Sequence, residues 1–238
     1  MSEDLDNRKI ILITGTSRGI GRYLAEYYVS LGHRVIGCSR GEIDFKNELY
    51  THFEIDISEE ENVLAIFKYI RKELNRLDIL INNAAINPAI ISAALLPYET
   101  IEKVYKVNVF AVMLFCREAI KVMGRNKFGR IINIGSMASK HEVSGEALYT
   151  STKSAVIAYT RVVAKEVNRL GITVNVIAPS AIKTDLSAKI NQTALMEVLS
   201  RNAITGYGKM EDVSNMIDFI CADESSALTG QICYLGGV

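Results

Sequence analysis

Neither sign of charge is in excess in this chain: 27 Lys and Arg stand against 27 Asp and Glu, for a formal net charge of zero. A chain so balanced has no broad attraction for nucleic acid or for an anionic membrane surface. Cysteine is scarce and scattered. Cys38, Cys116, Cys221 and Cys233 contain no CxxC pair, and two of them sit in apolar, strand-like runs, so all four read as reduced thiols in or near a core. The three histidines, His33, His52 and His141, have no ligand-like spacing to one another or to cysteine, which leaves a metal centre without a donor set. No long hydrophobic run occurs either. The most apolar stretch, Ile79 to Pro97, is interrupted by Asn82, Asn83, Asn87 and Pro88, short of the ~20 apolar residues that cross a bilayer. The opening MSEDLDNRK is polar and acidic and lacks the basic and apolar regions of a secretory signal. Internal repeats and low-complexity segments are absent. These absences together predict a cytoplasmic protein with no nucleic-acid partner, no membrane partner and no metal.

What is present is 238 residues, 49% of them apolar, enough for one large α/β domain with a substantial core. Short β-branched runs alternate with longer amphipathic stretches, the pattern of βαβ units around a parallel sheet. The strands are expected at Lys9 to Thr14, Arg34 to Ser39, His52 to Asp56, Asp78 to Asn82, Arg130 to Gly135, Ile172 to Ala178 and Gln231 to Leu235. Helices are expected over Gly19 to Leu31, closed by Gly32, over Ile101 to Met123, and over Ala147 to Arg169, closed near Gly171. Ser58 followed by Glu61 predicts a capping box at the start of one more helix, with Glu59, Glu60 and Glu61 at its positive end. Ser180 to Gly208 is a long insertion with weak helical periodicity at Leu186, Ile190, Leu195 and Leu199, and a segment of that length reads as a lid.

The first strand runs into TGTSRGIG, Thr14 to Gly21, and then into a helix. Glycines at a strand-to-helix turn let the backbone approach a pyrophosphate, whose charge meets the free N–H groups and dipole of the helix. The end of the second strand selects the dinucleotide. An NAD site tends to place an acid there for the ribose 2′-hydroxyl, whereas a 2′-phosphate needs positive charge. Here Ser39 and Arg40 stand at that point, and Arg18 approaches from the glycine loop. Two guanidiniums offer planar forks of donors to a dianion, so NADP(H) is favoured over NAD(H). The structural alternative is that both arginines are solvated, with Glu42 and Asp44 close enough to pair with Arg40.

Tyr149 and Lys153 are four residues apart in a helical stretch and therefore share a face. A cation beside a phenol favours phenolate, and a tyrosine so tuned can exchange a proton with an alcohol or carbonyl oxygen. Ser136 stands at the carboxyl end of the fifth strand, where ligands bind in open parallel sheets, and its hydroxyl can hold a substrate oxygen. Asn108 lies in an apolar helical stretch. It holds either a water or backbone carbonyl that connects to Lys153, or simply a buried partner of its own.

With these residues in hand the chain resembles the short-chain dehydrogenase/reductase family, of the single-domain type, and most nearly its 3-oxoacyl-acyl-carrier-protein reductases. The resemblance rests on TGxxxGxG at Thr14 to Gly21, Asp56 after the third strand, NNAA at Asn82 to Ala85, the Asn108, Ser136, Tyr149, Lys153 tetrad, and PSAIKT at Pro179 to Thr184. It implies a Rossmann-type doubly wound parallel sheet of about seven strands, in the order 3-2-1-4-5-6-7, flanked by helices in a single domain over residues 1–238 with the lid at about 180–208. It implies NADP(H) bound by Gly15, Ser17, Arg18, Gly19, Ile20, Gly21, Ser39, Arg40, Asp56, Ile57, Asn83, Ala84, Ala85, Tyr149, Lys153, Pro179, Ile182 and Thr184. By the same resemblance Tyr149 is the general acid, Ser136 orients the carbonyl, Lys153 lowers the tyrosine pKa, and Asn108 completes a relay through water. The implied substrate is a small or carrier-linked ketone, with Arg125 and Lys127 as candidates for carrier docking, and the implied assembly is a homodimer or homotetramer. A glycan-precursor, nucleotide-sugar or secondary-metabolite ketone or alcohol is an alternative substrate, and an idle nucleotide-binding scaffold is the non-enzyme alternative. The chain departs from the family pattern at Ala85, Ser180 and Leu235, where the family carries glycine, glycine and commonly aspartate.

Overall fold

The computed structural model describes residues 8–88, 90–183, 199–200 and 202–237. Strands β1 (Ile10–Thr14), β2 (Arg34–Ser39), β3 (Tyr50–Glu54), β4 (Ile79–Asn82), β5 (Gly129–Ile134), β6 (Ile172–Pro179) and β7 (Ile232–Leu235) make one sheet. Its order is β3-β2-β1-β4-β5-β6-β7 and each neighbouring pair is parallel, the Rossmann-type arrangement expected. The Ile- and Val-rich runs form central strands because both faces of the sheet are covered. In β1, Ile10 and Leu12 enter one core with Phe67, Phe115 and Val163, while Ile11 and Ile13 enter the other with Leu24, Tyr28, Val213 and Ile217. This alternation follows from the two-residue period of a strand.

The covering helices are α1 (Gly19–Ser30), α2 (Glu60–Tyr69), α3 (Tyr98–Tyr105), α4 (Ala111–Asn126), the short α5 (Ala138–His141), α6 (Ala147–Val167) and α7 (Met210–Cys221). α1 stops before Gly32, which takes φ +83°, the left-handed backbone that glycine tolerates. No helix among the described residues is long and apolar enough to cross a membrane. Cys38, Cys116 and Cys221 are buried free thiols and Cys233 is half-buried.

Four expectations are corrected. β3 occupies Tyr50–Glu54 rather than 52–56, because its register on β2 ends where Ser39, the last residue of β2, meets Glu54. Asp56 is thereby released into the loop. The capping box at Ser58 does not form: the Ser58 hydroxyl is spent on the Asp56 carboxylate at 2.8 Å, and α2 starts after Glu59 without a side-chain cap. The helix expected at 101–123 is α3 and α4 joined by a π-helical turn over Lys106–Phe110. α7 is absent from the expected elements, although Val213, Ile217 and Ile220 carry a helical period and are buried.

The strand order reverses beside β1, whose neighbours are β2 and β4. Chain connections leave opposite ways there and open a crevice at the carboxyl ends of the strands.

Candidate active site

The crevice is built from the ends of four strands. After β1, Gly15 at φ +75° lets its own N–H and that of Thr16 reach the Cys38 carbonyl, at 2.8 and 3.2 Å, so that the loop folds over β2. A Cβ on Gly21 would fall 2.2 Å from the Gly15 carbonyl oxygen, and one on Gly15 would fall 2.9 Å from Ala84 Cα. These two glycines therefore permit the close packing of loop, helix and β4 end. α1 begins with no side-chain cap and no acid in its first turn, which leaves its N–H groups and positive dipole end to an anion. From the β4 side, Asn83 donates its amide to the Thr14 carbonyl at 2.9 Å, while Thr14 Oγ1 accepts from the N–H groups of Asn83 and Ala84 at 3.0 and 2.9 Å.

Gly15, Ser17, Arg18, Gly19, Ile20, Ser39, Arg40, Asp56, Ile57, Asn83, Ala84 and Ala85 all line one cavity. Cys38, Ile55, Ile86 and Val107 line it too and carried no motif to find them by. Gly21 supports the cavity from behind instead of lining it. Asp44, offered by the sequence as a partner for Arg40, is paired with Arg22 at 2.7 Å. Arg40 instead acts on Asp56. Burial alone would raise that carboxyl, but hydrogen bonds from Ser58, at 2.9 Å to its backbone N–H, and the charges of Arg40 and Lys103 hold it below the usual carboxylate range. Ser39 is turned inward. Its hydroxyl donates to the Gly41 carbonyl at 2.9 Å and lies 3.2 Å from His52 Nε2, contacts that no sequence motif announced.

Ser136 follows β5 and Tyr149 and Lys153 sit one turn apart on α6, so the three meet at the carboxyl edge of the sheet. Ser136 Oγ accepts the Ala138 N–H at 3.1 Å and faces the Tyr149 phenol, whose pKa it draws down. Tyr149 is 8% exposed and Lys153 4%. The Lys153 ammonium donates to the Ile134 carbonyl at 2.8 Å and stands 5.6 Å from the Tyr149 ring centroid. The expected lowering of the tyrosine pKa is not what these surroundings produce. Burial pushes the phenol up to about 12, Ser136 pulls it back only in part, and Glu146 adds to the rise. Burial also pushes Lys153 down to about 8. Desolvation opposes charge on both groups and is the largest influence on each.

Asn108 occupies the π-helical turn and is 1% exposed. Its Oδ1 accepts the Ile86 N–H at 2.9 Å, and its amide donates to the Ile86 carbonyl at 2.9 Å and to Thr152 Oγ1 at 3.2 Å. Thr152 in turn donates to the Tyr149 carbonyl at 2.7 Å. The asparagine therefore ties the wall of the cavity to the helix that carries Tyr149, and none of these bonds goes to Lys153.

Pro179 and Ile182 lie away from this cavity, lining another with Tyr207, Met216, Phe219 and Tyr234. Thr184 lies outside the described residues, as does most of the expected lid. Ser180 stands where the family has glycine, and it is not among the residues of positive φ. Its hydroxyl accepts from Asn202 at 2.6 Å, and Asn202 Oδ1 lies 2.9 Å from His141 Nε2.

Residues 9–195 match the family model for short chain dehydrogenase. The chain is 36% identical over 232 residues to the 3-oxoacyl-[acyl-carrier-protein] reductase of Rickettsia felis, covering 96% of this chain and 95% of that one. Among solved structures it superposes on the 3-ketoacyl-(acyl-carrier-protein) reductase of Brucella melitensis complexed with NADH. The TM-score is 0.88 and the identity 25%, covering 95% of this chain and 96% of that one. It also superposes on ElxO with NADP bound, with a TM-score of 0.87 and 27% identity, covering 96% and 97%.

Proposed function

The chain belongs to the short chain dehydrogenase family and is an NAD(P)-dependent oxidoreductase; from that premise we propose that it reduces a 3-oxoacyl thioester or other small ketone to a secondary alcohol, with NADPH as donor. The observation that carries this reading is the convergence of Tyr149, Ser136 and Lys153 at the end of β5, beside a cavity lined by Arg18 and Arg40.

The residues fit the dinucleotide. The tight glycine turn and the uncapped start of α1 suit a pyrophosphate, and the arginines suit a 2′-phosphate. A bound nicotinamide supplies the hydride that goes to the carbonyl carbon. Tyr149 supplies the proton that completes the alcohol: with its pKa pushed up to about 12, the phenol is protonated at neutral pH, the form a general acid requires. Ser136, facing the phenol, holds the carbonyl oxygen against it. Lys153 holds its cation beneath the phenol, fixed by the Ile134 carbonyl. We assign Asn108 to positioning, through Ile86 and Thr152, in place of the water relay implied by resemblance.

The same reading makes the protein a cytoplasmic homo-oligomer. Phe110, Val162 and Phe219 are 51%, 55% and 61% exposed, and they offer apolar surface for subunit contacts. Light scattering on a sizing column tests this, and a monomer would refute it.

The deciding experiment follows NADPH absorbance against a panel of ketones and 3-oxoacyl thioesters. Tyr149→Phe should cost about 10²-fold or more in kcat on the best substrate. Full activity in that variant would remove Tyr149 from the acid role, and turnover of ketones but of no thioester would remove the carrier-linked substrate.

A further inference from the structure

Beneath the glycine loop a continuous chain of hydrogen bonds runs to the end of β2. Tyr50 Oη donates to Thr16 Oγ1 at 2.8 Å and lies 3.0 Å from His52 Nδ1. Across the ring, His52 Nε2 is 3.2 Å from Ser39 Oγ and 3.3 Å from the Gly41 carbonyl, which also accepts the Ser39 hydroxyl. The fold keeps this passage open. A Cβ on Gly37 would fall 2.0 Å from the Tyr50 oxygen and 2.6 Å from Thr16 Oγ1, so only glycine lets the tyrosine reach the loop.

The protons can be counted along this chain. Tyr50 gives its proton to Thr16, so His52 Nδ1 faces an oxygen with nothing left to donate and must itself carry hydrogen. If Nε2 is bare, the single proton of Ser39 is taken by Nε2 or by the Gly41 carbonyl, and the Nε2 lone pair faces that carbonyl at 3.3 Å. If Nε2 is protonated as well, its N–H serves both Ser39 Oγ and the Gly41 carbonyl. Every group then has a partner, and the Ser39 proton is free to turn into the cavity that Ser39, Arg40 and Arg18 line.

We propose that His52 is a positioning residue that couples protonation of its ring to recognition of a phosphate monoester at Ser39 and Arg40, and so sets the preference for the phosphorylated dinucleotide. The inference rests on the reading of this cavity as the 2′-phosphate site. Burial lowers the His52 pKa, while the Gly41 carbonyl and Glu54 oppose it, so the ring is neutral at neutral pH without a ligand. The other titratable and charged groups around the chain are Arg18 of the glycine loop, Arg40, the Arg22–Asp44 ion pair, and the Tyr50 and Cys38 side chains, which burial pushes up to about 12 and keeps neutral. A dianion beside Ser39 adds negative charge and raises His52, so a proton is taken up as the phosphate binds, and by linkage affinity for it rises as pH falls.

Titration calorimetry in two buffers of different ionisation enthalpy, above the phosphate's own second pKa of about 6, reads this directly. Wild-type protein should take up protons on binding NADPH and none on binding NADH; a phosphate shedding its own proton would give the opposite sign. His52→Gln keeps a neutral donor toward Gly41 but does not titrate, so both the proton uptake and the rise of NADPH affinity with falling pH should vanish. His52→Leu should weaken NADPH about tenfold, the loss of a charge-assisted hydrogen bond, and leave NADH unchanged. Uptake that persists in His52→Gln, or a His52→Leu variant that weakens both dinucleotides alike, overturns the proposal. Wild-type preference for NADPH without proton uptake sinks this inference alone, whereas equal wild-type affinity for NADPH and NADH sinks the reading of the cavity and the inference with it.

Discussion

Replacing Lys153 with arginine should move the alkaline limb of the rate profile. The amine is 4% exposed and donates one hydrogen bond, to the Ile134 carbonyl at 2.8 Å, where an ammonium has three protons to place. Burial accordingly pushes it from 10.5 to about 8, a displacement worth roughly 3 kcal/mol against the charged form. The Tyr149 phenol is displaced the other way, up to about 12. The amine of the unliganded enzyme therefore loses its proton long before the phenol does. Since kcat/KM follows the pKa values of free enzyme, kcat/KM for NADPH should fall above pH about 8 with the slope of one proton. Lys153→Arg carries a guanidinium that stays charged past pH ~12, so its limb should leave this range even if the overall rate drops. Lys153→Met should be slow throughout, with no limb near 8. Initial rates of NADPH oxidation across neutral and alkaline pH make the comparison. A limb that stays near 8 in Lys153→Arg refutes the reasoning, because the titrating group would then be another one.

Gly21→Ala places a methyl group 2.2 Å from the Gly15 carbonyl oxygen and 2.4 Å from Asn83 Nδ2. It should cost about 1–3 kcal/mol by overpacking and weaken dinucleotide binding, as read by urea unfolding and a fluorescence titration; unchanged binding would separate Gly21 from the loop's function. Asn108→Ala leaves the Ile86 N–H and carbonyl without partners, at about 1–3 kcal/mol for each buried group left unsatisfied, and should lower kcat more than it raises KM. Cys38, Cys116 and Cys221 are each raised from 9.0 to about 12 by burial. Folded-state values above the unfolded ones mean that this stability is complete below pH ~9 and is lost as pH climbs toward 12, so Tm should fall above pH ~9. Lys153 is shifted downward and adds stability as pH rises from about 8 to 10.5, so Lys153→Met should steepen the fall, and a variant whose Tm falls no more steeply than wild type would contradict the sign for Lys153.

The strands were legible because a fully covered parallel sheet demands unbroken Ile- and Val-rich runs, and Ile10–Thr14 and Arg34–Ser39 supply them almost residue for residue. The glycine turn was legible for a related reason: only glycine survives where Gly21 meets Gly15. What sequence spacing could not convey was the balance between charge and burial. Tyr149 and Lys153 four residues apart suggest that one tunes the other, but the sign of the outcome depends on how dry the site is. Long-range side-chain contacts were equally hidden. Tyr50, His52 and Ser39 meet only because β3 pairs with β2 from Tyr50 onward, two residues earlier than the apolar pattern indicates. Ser58 resembled a cap by its spacing to Glu61, yet a nearer carboxylate, that of Asp56, took its hydroxyl.

The turn at Lys106–Phe110 closes through an N–H of Ala111 that reaches the Lys106 carbonyl, a ring one residue wider than the rest of the helix. A deletion of one residue here would let α3 and α4 fuse into one regular α-helix and remove the wide turn that aims Asn108 at Ile86. Asn108 would then swing off Ile86. The more orderly protein would be the poorer catalyst, so length at this point is under a constraint that hydrophobicity and charge do not record, and attempts to idealise the helix would trade turnover for robustness.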